Sequence, residues 1–263
     1  MTDPKLAGTD LVLAYPDGSE PVVDGESVRI SRGRITAFVG PNGSGKSTLL
    51  RGLADQLSPL AGEVVLDGRA VARFGDRDLA RELGLLEQEP SAPDGLTVER
   101  LVSHGRYPHR GRFDVLDDAD LRAVERALSL AGVSHLRDRP LGDLSGGQRR
   151  LAWLAMVLAQ DPDVPLLDEP TTFLDLRHLL AVMAVVERRR DEAGTTVVLV
   201  LHDVEQAARH ADEMIVLDDG AVRAHGAPET VLTPALLAGT FGVEATVEPG
   251  PHGPRVIPRS PVD

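Results

Sequence analysis

The sequence contains no cysteine, and it is poor in aromatic residues and in lysine. Without cysteine there is no disulfide framework and no thiolate metal site, which suits a reducing cytosol. Phe, Trp and Tyr make up only 3% of the residues, which disfavours a surface that stacks nucleobases. Of the 28 basic residues only Lys5 and Lys46 are lysine, so arginine carries nearly all positive charge. These shortages argue against a disulfide-stabilised protein and against a nucleic-acid-binding one.

Long apolar runs are missing as well. No uninterrupted apolar segment approaches the roughly 20 residues of a membrane-spanning helix, and the first four residues lack the basic and apolar regions of a signal peptide. The formal charge of −13 repels nucleic acid and anionic lipid headgroups, so we expect any membrane attachment to run through a protein partner. With 263 residues the chain can bury one large core, or one core with a small insert.

Residues 40–48 match the phosphate-loop pattern G-x-x-x-x-G-K-[ST]. The apolar run 35–39 before them is typical of a buried strand, and residues 47–53 begin a helix, so glycines at this turn can aim backbone amides at phosphate oxygens. Lys46 adds a compact ammonium in a chain that otherwise uses arginine. A chance match is expected in on the order of one per cent of chains this long. We therefore predict a nucleoside triphosphate site formed by Gly40, Pro41, Asn42, Gly43, Ser44, Gly45, Lys46, Ser47 and Thr48.

The rest of the chain alternates short Val, Ile and Leu runs with helical periodicity, which predicts an α/β fold with a mainly parallel sheet. We expect two early antiparallel strands at 11–13 and 27–30, and a helical insert at about 90–160. The other predicted strands are residues 64–66, 83–86, 164–167, 197–201 and 214–217, and the predicted helices are 118–131, 146–159 and 176–190. Residues 247–263 form a proline-rich tail, predicted to be loop or extended with a short strand around Val256 and Ile257.

Asp168 and Glu169 follow the apolar run 164–167, at the carboxyl end of a strand, where open α/β sheets bind ligands. Phosphoryl transfer needs a metal-binding carboxylate and a group that positions water. We therefore predict that Asp168 holds Mg²⁺ through water and that Glu169 polarises the attacking water. The competing interpretation is a solvated acidic turn.

Residues 144–148, Leu-Ser-Gly-Gly-Gln, head an amphipathic helix. The hydroxyl of Ser145 and the glycine amides would face an anion at the positive end of this helix. A plain N-cap serine would leave the two glycines unexplained, because glycine inside a helix costs about 1 kcal/mol.

The phosphate loop, Gln88, residues 144–148, Asp168 with Glu169, Asp175 and His202 occur in the order and spacing of a known family. They resemble the nucleotide-binding subunit of an ATP-binding cassette (ABC) transporter, and the match covers nearly the whole chain. The resemblance implies a P-loop NTPase core of ABC type, α/β with an antiparallel β subdomain and an α-helical insert, in one ATPase domain over residues 1–246. It also implies that the protein is an ATPase that uses ATP and Mg²⁺.

The resemblance implies a role for each matching residue. Tyr15 would stack on adenine, although a tyrosine at a strand end is more often simply half-buried. Lys46 would reach the β and γ phosphates, Ser47 would ligate Mg²⁺, and Thr48 would bond the α phosphate. Gln88 would contact Mg²⁺ or the attacking water and sense a membrane partner. His202 would contact the γ phosphate, which makes the implied catalytic residues Glu169, His202, Gln88 and Lys46.

The family also implies partners. Two copies would pack head to tail, so that Ser145, Gly146, Gly147 and Gln148 of one copy complete the ATP bound at Lys46 of the other. Asp175 lies in a loop that would cross this interface. Polytopic permease subunits would hold the dimer at the cytoplasmic face of the cell membrane, and an extracytoplasmic substrate-binding protein would act indirectly. No nucleic acid is expected.

Residues 105–109, Gly-Arg-Tyr-Pro-His, together with 168–176 and 241–243, resemble the ATPases of ferric siderophore importers, with haem and cobalamin importers as close relatives. The alternative is a soluble accessory ATPase of iron–sulfur cluster assembly, which its copurifying partner would reveal. The stretch between phosphate loop and Ser145 is too short for the coiled coil of a chromosome-maintenance ATPase. Two residues depart from the family pattern. Pro165 lies in a strand expected to be central, either at its first paired position or at a bulge, and Leu151 replaces a usual basic residue.

Overall fold

A computed structural model of the chain describes residues 3–16, 18, 20–111 and 115–262. The chain folds into two compact units, Met1–Arg73 with Gly194–Asp263, and Phe74–Ala193. No helix within the described ranges is both long and apolar enough to cross a membrane. In chain order the elements are β1 Leu6–Leu13, β2 Val23–Ile30, β3 Ile35–Val39, α1 Lys46–Leu53, β4 Ala61–Leu66, β5 Arg69–Ala70, α2 Asp76–Glu82, β6 Leu83–Leu86, α3 Val98–His104, α4 Asp118–Leu130, α5 Gly146–Gln160, β7 Val164–Asp168, α6 Leu176–Ala193, β8 Val197–Val200, α7 Val204–His210, β9 Glu213–Asp218, β10 Ala221–Gly226, α8 Pro228–Val231, α9 Pro234–Phe241, β11 Val243–Glu248 and β12 Arg255–Pro261.

An antiparallel sheet of order β2-β1-β4-β5 forms one layer of the first unit. The predicted early strands are confirmed as an antiparallel pair, and both extend beyond their apolar residues. Lys5, one of the two lysines of the chain, forms an ion pair in this sheet. Its Nζ lies 2.7 Å from Oδ2 of Asp67 at the turn after β4. Burial opposes ionisation of Asp67, but hydrogen bonds from Lys5 and Arg32 hold its pKa below the ordinary value. One of the two lysines therefore has a structural partner in this sheet.

Parallel strands form the second layer of this unit. β3 lies between β8 and β9 and is parallel to both, and β10 pairs with β9 in the antiparallel direction. Every residue of β3 and of β8 is buried, as expected of strands with neighbours on both sides and helices on their faces. The carboxyl end of β3 leads directly into the phosphate loop, and that of β8 leads to His202.

In the second unit β6 and β7 pair in parallel with an unbroken register, in which Pro165 lies opposite Gly84. Pro165 is thus the second paired residue, after Val164, and it causes no bulge against β6. Neither of the two predicted explanations for this proline is right. Pro165 has no backbone N–H to donate, and β7 still keeps a regular register with β6. Between β6 and β7 the described residues form the helices α3, α4 and α5, and the predicted helices 118–131 and 146–159 are both present.

The segment 105–109, which carries the resemblance to siderophore importers, is fixed by a buried ion pair. Nε of Arg106 lies 2.9 Å from Oδ1 of Asp120 in α4, and Nη1 donates to the carbonyl oxygen of Ala159 in α5 at 2.7 Å. Burial opposes ionisation of Asp120, but its hydrogen bonds with Arg106 and the Asp117 backbone hold its pKa below the ordinary value. The neighbouring ring of Tyr107 is half-exposed and lies 4.9 Å from the Arg77 guanidinium. The motif therefore ties its own turn to two helices and presents one aromatic ring to solvent.

The proline-rich tail is more regular than predicted. The predicted short strand at Val256 and Ile257 is part of β12, which pairs with β11 over Val243–Pro261 to form a separate two-stranded sheet. Pro258 and Pro261 both lie in β12. Prolines are tolerated there because a two-stranded sheet leaves each strand with an outer edge that needs no amide donor.

Candidate functional site

The phosphate loop is shaped by its backbone. Gly40 has a φ of +151°, and a Cβ built on it would lie 2.0 Å from the carbonyl oxygen of Leu217 at the end of β9. Only glycine fits this position, because any larger residue would overlap backbone. The chain then turns into α1, where Gly45 is the N-cap residue with a φ of 92°. A strand, a tight turn and a helix start follow in the order needed to bind phosphate groups.

Lys46 is 5% exposed and points into its own loop. Its Nζ donates to the carbonyl oxygens of Gly40 at 3.0 Å and Pro41 at 2.7 Å, and to Oγ of Ser44 at 3.3 Å. The ammonium therefore lies within the curve of the loop, where the charge of a bound phosphate needs neutralising. This arrangement fits a nucleoside triphosphate at the predicted loop.

Two other predicted residues belong to the same unit. The hydroxyl oxygens of Tyr15 and Thr48 are 3.2 Å apart, so the half-buried tyrosine is anchored beside the phosphate loop. His202 is the second residue after β8, and the pairing with β3 continues through Leu201, whose backbone N donates to the carbonyl oxygen of Phe38 at 3.0 Å. His202 is exposed, and Asp203 caps α7 behind it. The adenine role of Tyr15 and the γ-phosphate role of His202 stay predictions.

Asp168 and Glu169, together with Gln88 and Thr172, form what we call the acidic cluster of the second unit, and Glu169 lies at its centre. Nε2 of Gln88, just beyond β6, donates to its Oε1 at 2.8 Å, and Oγ1 of Thr172 donates to its Oε2 at 3.0 Å. Asp168 ends β7 and is 1% exposed, and Glu169 is 4% exposed. The predicted Gln88, Asp168 and Glu169 thus lie together at the carboxyl ends of two adjacent parallel strands. The carboxylate of Glu169 is buried and accepts hydrogen bonds from Gln88 and Thr172, which fix its orientation. A fixed orientation suits a general base, which must accept a proton from one direction.

Ser145 caps α5. Its Oγ accepts from Gln148 N at 3.3 Å, and Oε1 of Gln148 accepts from Ser145 N at 3.2 Å, which makes a reciprocal capping box. The serine hydroxyl acts here as an acceptor, so its hydrogen can still be donated to an anion at the helix N-terminus. A Cβ on Gly147 would lie 3.1 Å from the carbonyl oxygen of Phe173. Close approach of the loop after β7 therefore gives one physical reason for a glycine in this motif.

Asp175 precedes α6 and is exposed. Its Oδ1 accepts from the backbone N of His178 at 2.9 Å and lies 2.8 Å from the ring Nδ1. The backbone hydrogen bond from His178 is the main cause that lowers the pKa of Asp175 below its ordinary value. His178 thus holds the predicted interface residue Asp175 in its helix-capping position.

Sequence reasoning missed Thr172 and Arg150. The sequence signal that could have pointed to Arg150 is the unusual Leu151 next to it, which is buried. The guanidinium of Arg150 donates hydrogen bonds to the backbone of Gln88 and Asp168. No group of three or more histidine, aspartate or glutamate side chains placed to hold a metal ion occurs in the ranges that the structure covers. The oxygen-bearing side chains of Ser47, Gln88 and Asp168 have the donor chemistry that Mg²⁺ takes.

Known proteins resemble this chain over most of its length. A protein-family model described as ABC transporter matches residues 23–172. The ferric enterobactin transport ATP-binding protein FepC of Escherichia coli (strain K12) is 41% identical over 256 residues, which is 97% of this chain and 94% of that protein. The iron(3+)-hydroxamate import ATP-binding protein FhuC of Bacillus subtilis (strain 168) is 41% identical over 94% of this chain and 91% of its own length. The dimeric post-hydrolysis structure of the ATP-binding cassette MJ0796 with ADP and Pi superposes with a TM-score of 0.76 at 27% identity, covering 84% of this chain and 98% of that one.

Proposed function

The chain belongs to the ABC transporter family of ATP-binding subunits and is an ATPase, and from this premise we propose that it powers the import of a ferric siderophore. The main evidence for this cargo is sequence similarity to several siderophore transport ATP-binding proteins, at about 40% identity over nearly the whole length of the chain. Residues 105–109, whose own sequence resembles such importers, contain the buried Arg106 that ties this turn to α4 and α5.

ATP binding rests on the phosphate loop. The loop amides and the ammonium of Lys46 neutralise phosphate charge, Thr48 bonds the α phosphate, and Tyr15 stacks on adenine. Ser47, Gln88 and Asp168 would hold Mg²⁺, which supplies charge neutralisation at the β and γ phosphates when bound. The loop geometry around Gly40 and the enclosed ammonium support this assignment.

Hydrolysis rests on the acidic cluster. Glu169 accepts the proton of the attacking water, while Gln88 and Thr172 each donate one hydrogen bond to the carboxylate and so fix its direction. His202 contacts the γ phosphate. No covalent intermediate with the protein is needed, because phosphoryl transfer to water depends mainly on positioning and on charge stabilisation.

Two copies work together, packed head to tail, so that the α5 N-terminus of one completes the ATP held by the other. The dimeric cassette structure with ADP and Pi supports this pairing. So do two apolar side chains after β7, since Phe173 is 82% and Leu176 71% exposed. The dimer docks on permease subunits at the cytoplasmic face of the membrane, and binding and release of the γ phosphate shift it between closed and open states.

Uptake by whole cells tests the proposal. A strain that lacks this gene receives the wild-type gene, Glu169→Gln, or Glu192→Gln, which makes the same change at an exposed position of α6. We expect Glu169→Gln to abolish uptake of radiolabelled iron presented as one class of siderophore, while Glu192→Gln restores it. Uptake of amino acids, sugars and phosphate should stay normal in every strain.

Three outcomes would contradict the cargo assignment. Intact iron uptake with loss of cobalamin uptake would point to a cobalamin importer, and loss of haem uptake would point to a haem importer. Loss of iron–sulfur enzyme activity with all uptake intact would point to a soluble accessory ATPase of cluster assembly.

A further inference from the structure

Arg150 is a charged residue buried inside the second unit. It lies in the second turn of α5, five residues after the cap Ser145, and is 6% exposed. Burial of a guanidinium is costly unless its hydrogen-bond donors are satisfied. The neighbouring Arg149 is exposed on the same helix. The helix therefore carries one arginine in solvent and, directly after it, one buried arginine whose donors need partners.

The guanidinium binds backbone on two separate segments. Nη1 donates to the carbonyl oxygen of Glu87 at 2.5 Å and of Gln88 at 2.9 Å, and Nη2 donates to the carbonyl oxygen of Asp168. An arginine fork is planar and rigid, so the three carbonyls are held in a fixed arrangement. One side chain thus joins the segment after β6 to the end of β7.

Those two segments carry the groups that meet at the acidic cluster. The side chain of Gln88 donates to Oε1 of Glu169 at 2.8 Å, and Glu169 follows Asp168 directly. The guanidinium fixes the backbone on both sides of this hydrogen bond. Movement of one segment relative to the other would lengthen the contact between Gln88 and Glu169. Arg150 opposes such movement, because its guanidinium is hydrogen-bonded to both segments.

Electrostatics favour the same view. Burial lowers the pKa of Arg150 below the ordinary arginine value, and the charges of Asp168 and Glu169 oppose that shift. An arginine remains protonated at physiological pH even so. The two carboxylates therefore stabilise the guanidinium, while the guanidinium spends its Nη donors on main-chain oxygens. Gln88 and Thr172, and not Arg150, donate the hydrogen bonds described above to the oxygens of Glu169.

We propose that Arg150 is a positioning residue for hydrolysis, which holds the Gln88 backbone and the Asp168 backbone at the spacing in which Gln88 orients Glu169. Because Arg150 lies one turn beyond the capping box of Ser145 and Gln148, it also links the N-terminus of α5 to that spacing. The inference rests on the proposed role of Glu169 as proton acceptor.

The test compares Arg150→Met, which removes the donors and keeps an unbranched stem, with Arg150→Lys and with the neighbouring control Arg149→Met. Purified proteins are assayed for kcat and KM with ATP, for affinity to a non-hydrolysable ATP analogue, and for Tm. We expect Arg150→Met to lower kcat by about 10- to 100-fold with analogue affinity within about twofold. Arg150→Lys should fall between Arg150→Met and wild type, and Arg149→Met should behave as wild type.

A double-mutant cycle separates positioning from general stability. If Arg150 acts through Gln88, the double variant Arg150→Met with Gln88→Ala should turn over no more slowly than the slower single variant. Losses that multiply, or a kcat of Arg150→Met within about twofold of Arg149→Met, would overturn the inference. If Arg150→Met does not fold, the same cycle with Arg150→Lys decides the question.

Glu169→Gln is assayed in parallel to keep the two hypotheses apart. Full turnover in Glu169→Gln would reject the proposed proton acceptor and with it the basis of the inference. An inactive Glu169→Gln beside fully active Arg150 variants would reject the inference alone.

Discussion

The phosphate loop and the acidic cluster each follow the carboxyl ends of buried parallel strands, yet they are built in different ways. Residues 40–48 are contiguous, and their shape comes from backbone, with Gly40 pressed against β9 and Lys46 bonded to the carbonyls of its own loop. The acidic cluster gathers Gln88 and Thr172 around the carboxylate of Glu169, with the Arg150 fork behind them. A backbone-built site should fail outright when one conformation is lost. A cluster of side chains should lose activity in steps.

Gly40→Ala should have the larger effect. The new Cβ would lie 2.0 Å from the Leu217 carbonyl oxygen, so the loop or β9 must move, and we expect at least about a 100-fold loss of ATP affinity. Gly68→Ala is the matched control, because Gly68 also has a positive φ, 75°, but a Cβ there meets nothing within 4 Å and the residue lies outside the phosphate loop. It should cost only the backbone strain, about 1–2 kcal/mol of stability.

Isothermal titration with ATP and thermal unfolding measure both variants. Equal ATP affinity in Gly40→Ala and Gly68→Ala would show that the close approach to β9 does not shape the loop, and the contrast with the acidic cluster would fail.

Thr172→Val should have a smaller effect. The change removes the hydrogen bond from Thr172 to Glu169 and keeps the side-chain volume, so we expect kcat to fall by about 3- to 10-fold, in line with about 1 kcal/mol for one hydrogen bond. Thr172→Ser keeps the hydroxyl and should retain most of the turnover. ATP affinity should be unchanged in both. Equal turnover in the valine and serine variants would show that Thr172 does not orient the carboxylate.

The same contrast explains what the sequence predicts well. The phosphate loop could be predicted residue by residue, because its geometry depends on neighbours along the chain. The pairing of Gln88 with Glu169 was accessible only through the family resemblance, since 81 positions separate the two residues. The fork of Arg150 was missed because its partners are main-chain carbonyls, which every residue carries, so no pattern of side chains marks them.

Strand details follow the same rule. The buried run of β3 was predicted because its apolar residues are consecutive. The length of β12 was underestimated because its pairing with β11 depends on residues before the proline-rich tail. At Pro165 the sequence suggested a first paired position or a bulge, whereas the regular register with β6 shows that a proline fits the second paired position. For β12 and for Pro165 the missing information was the identity of the neighbouring strand.

The most direct test of the account is ATP turnover together with gel filtration of Glu169→Gln. The glutamine keeps the size and hydrogen-bonding capacity of the side chain but is a poor proton acceptor, so kcat should fall by roughly 10²- to 10⁴-fold while ATP still binds. With Mg²⁺ and ATP the variant should elute as a stable dimer, whereas the wild-type protein and Glu192→Gln should return to monomer as ATP is consumed. A wild-type rate of hydrolysis in Glu169→Gln would show that another group activates the water, and would contradict the account.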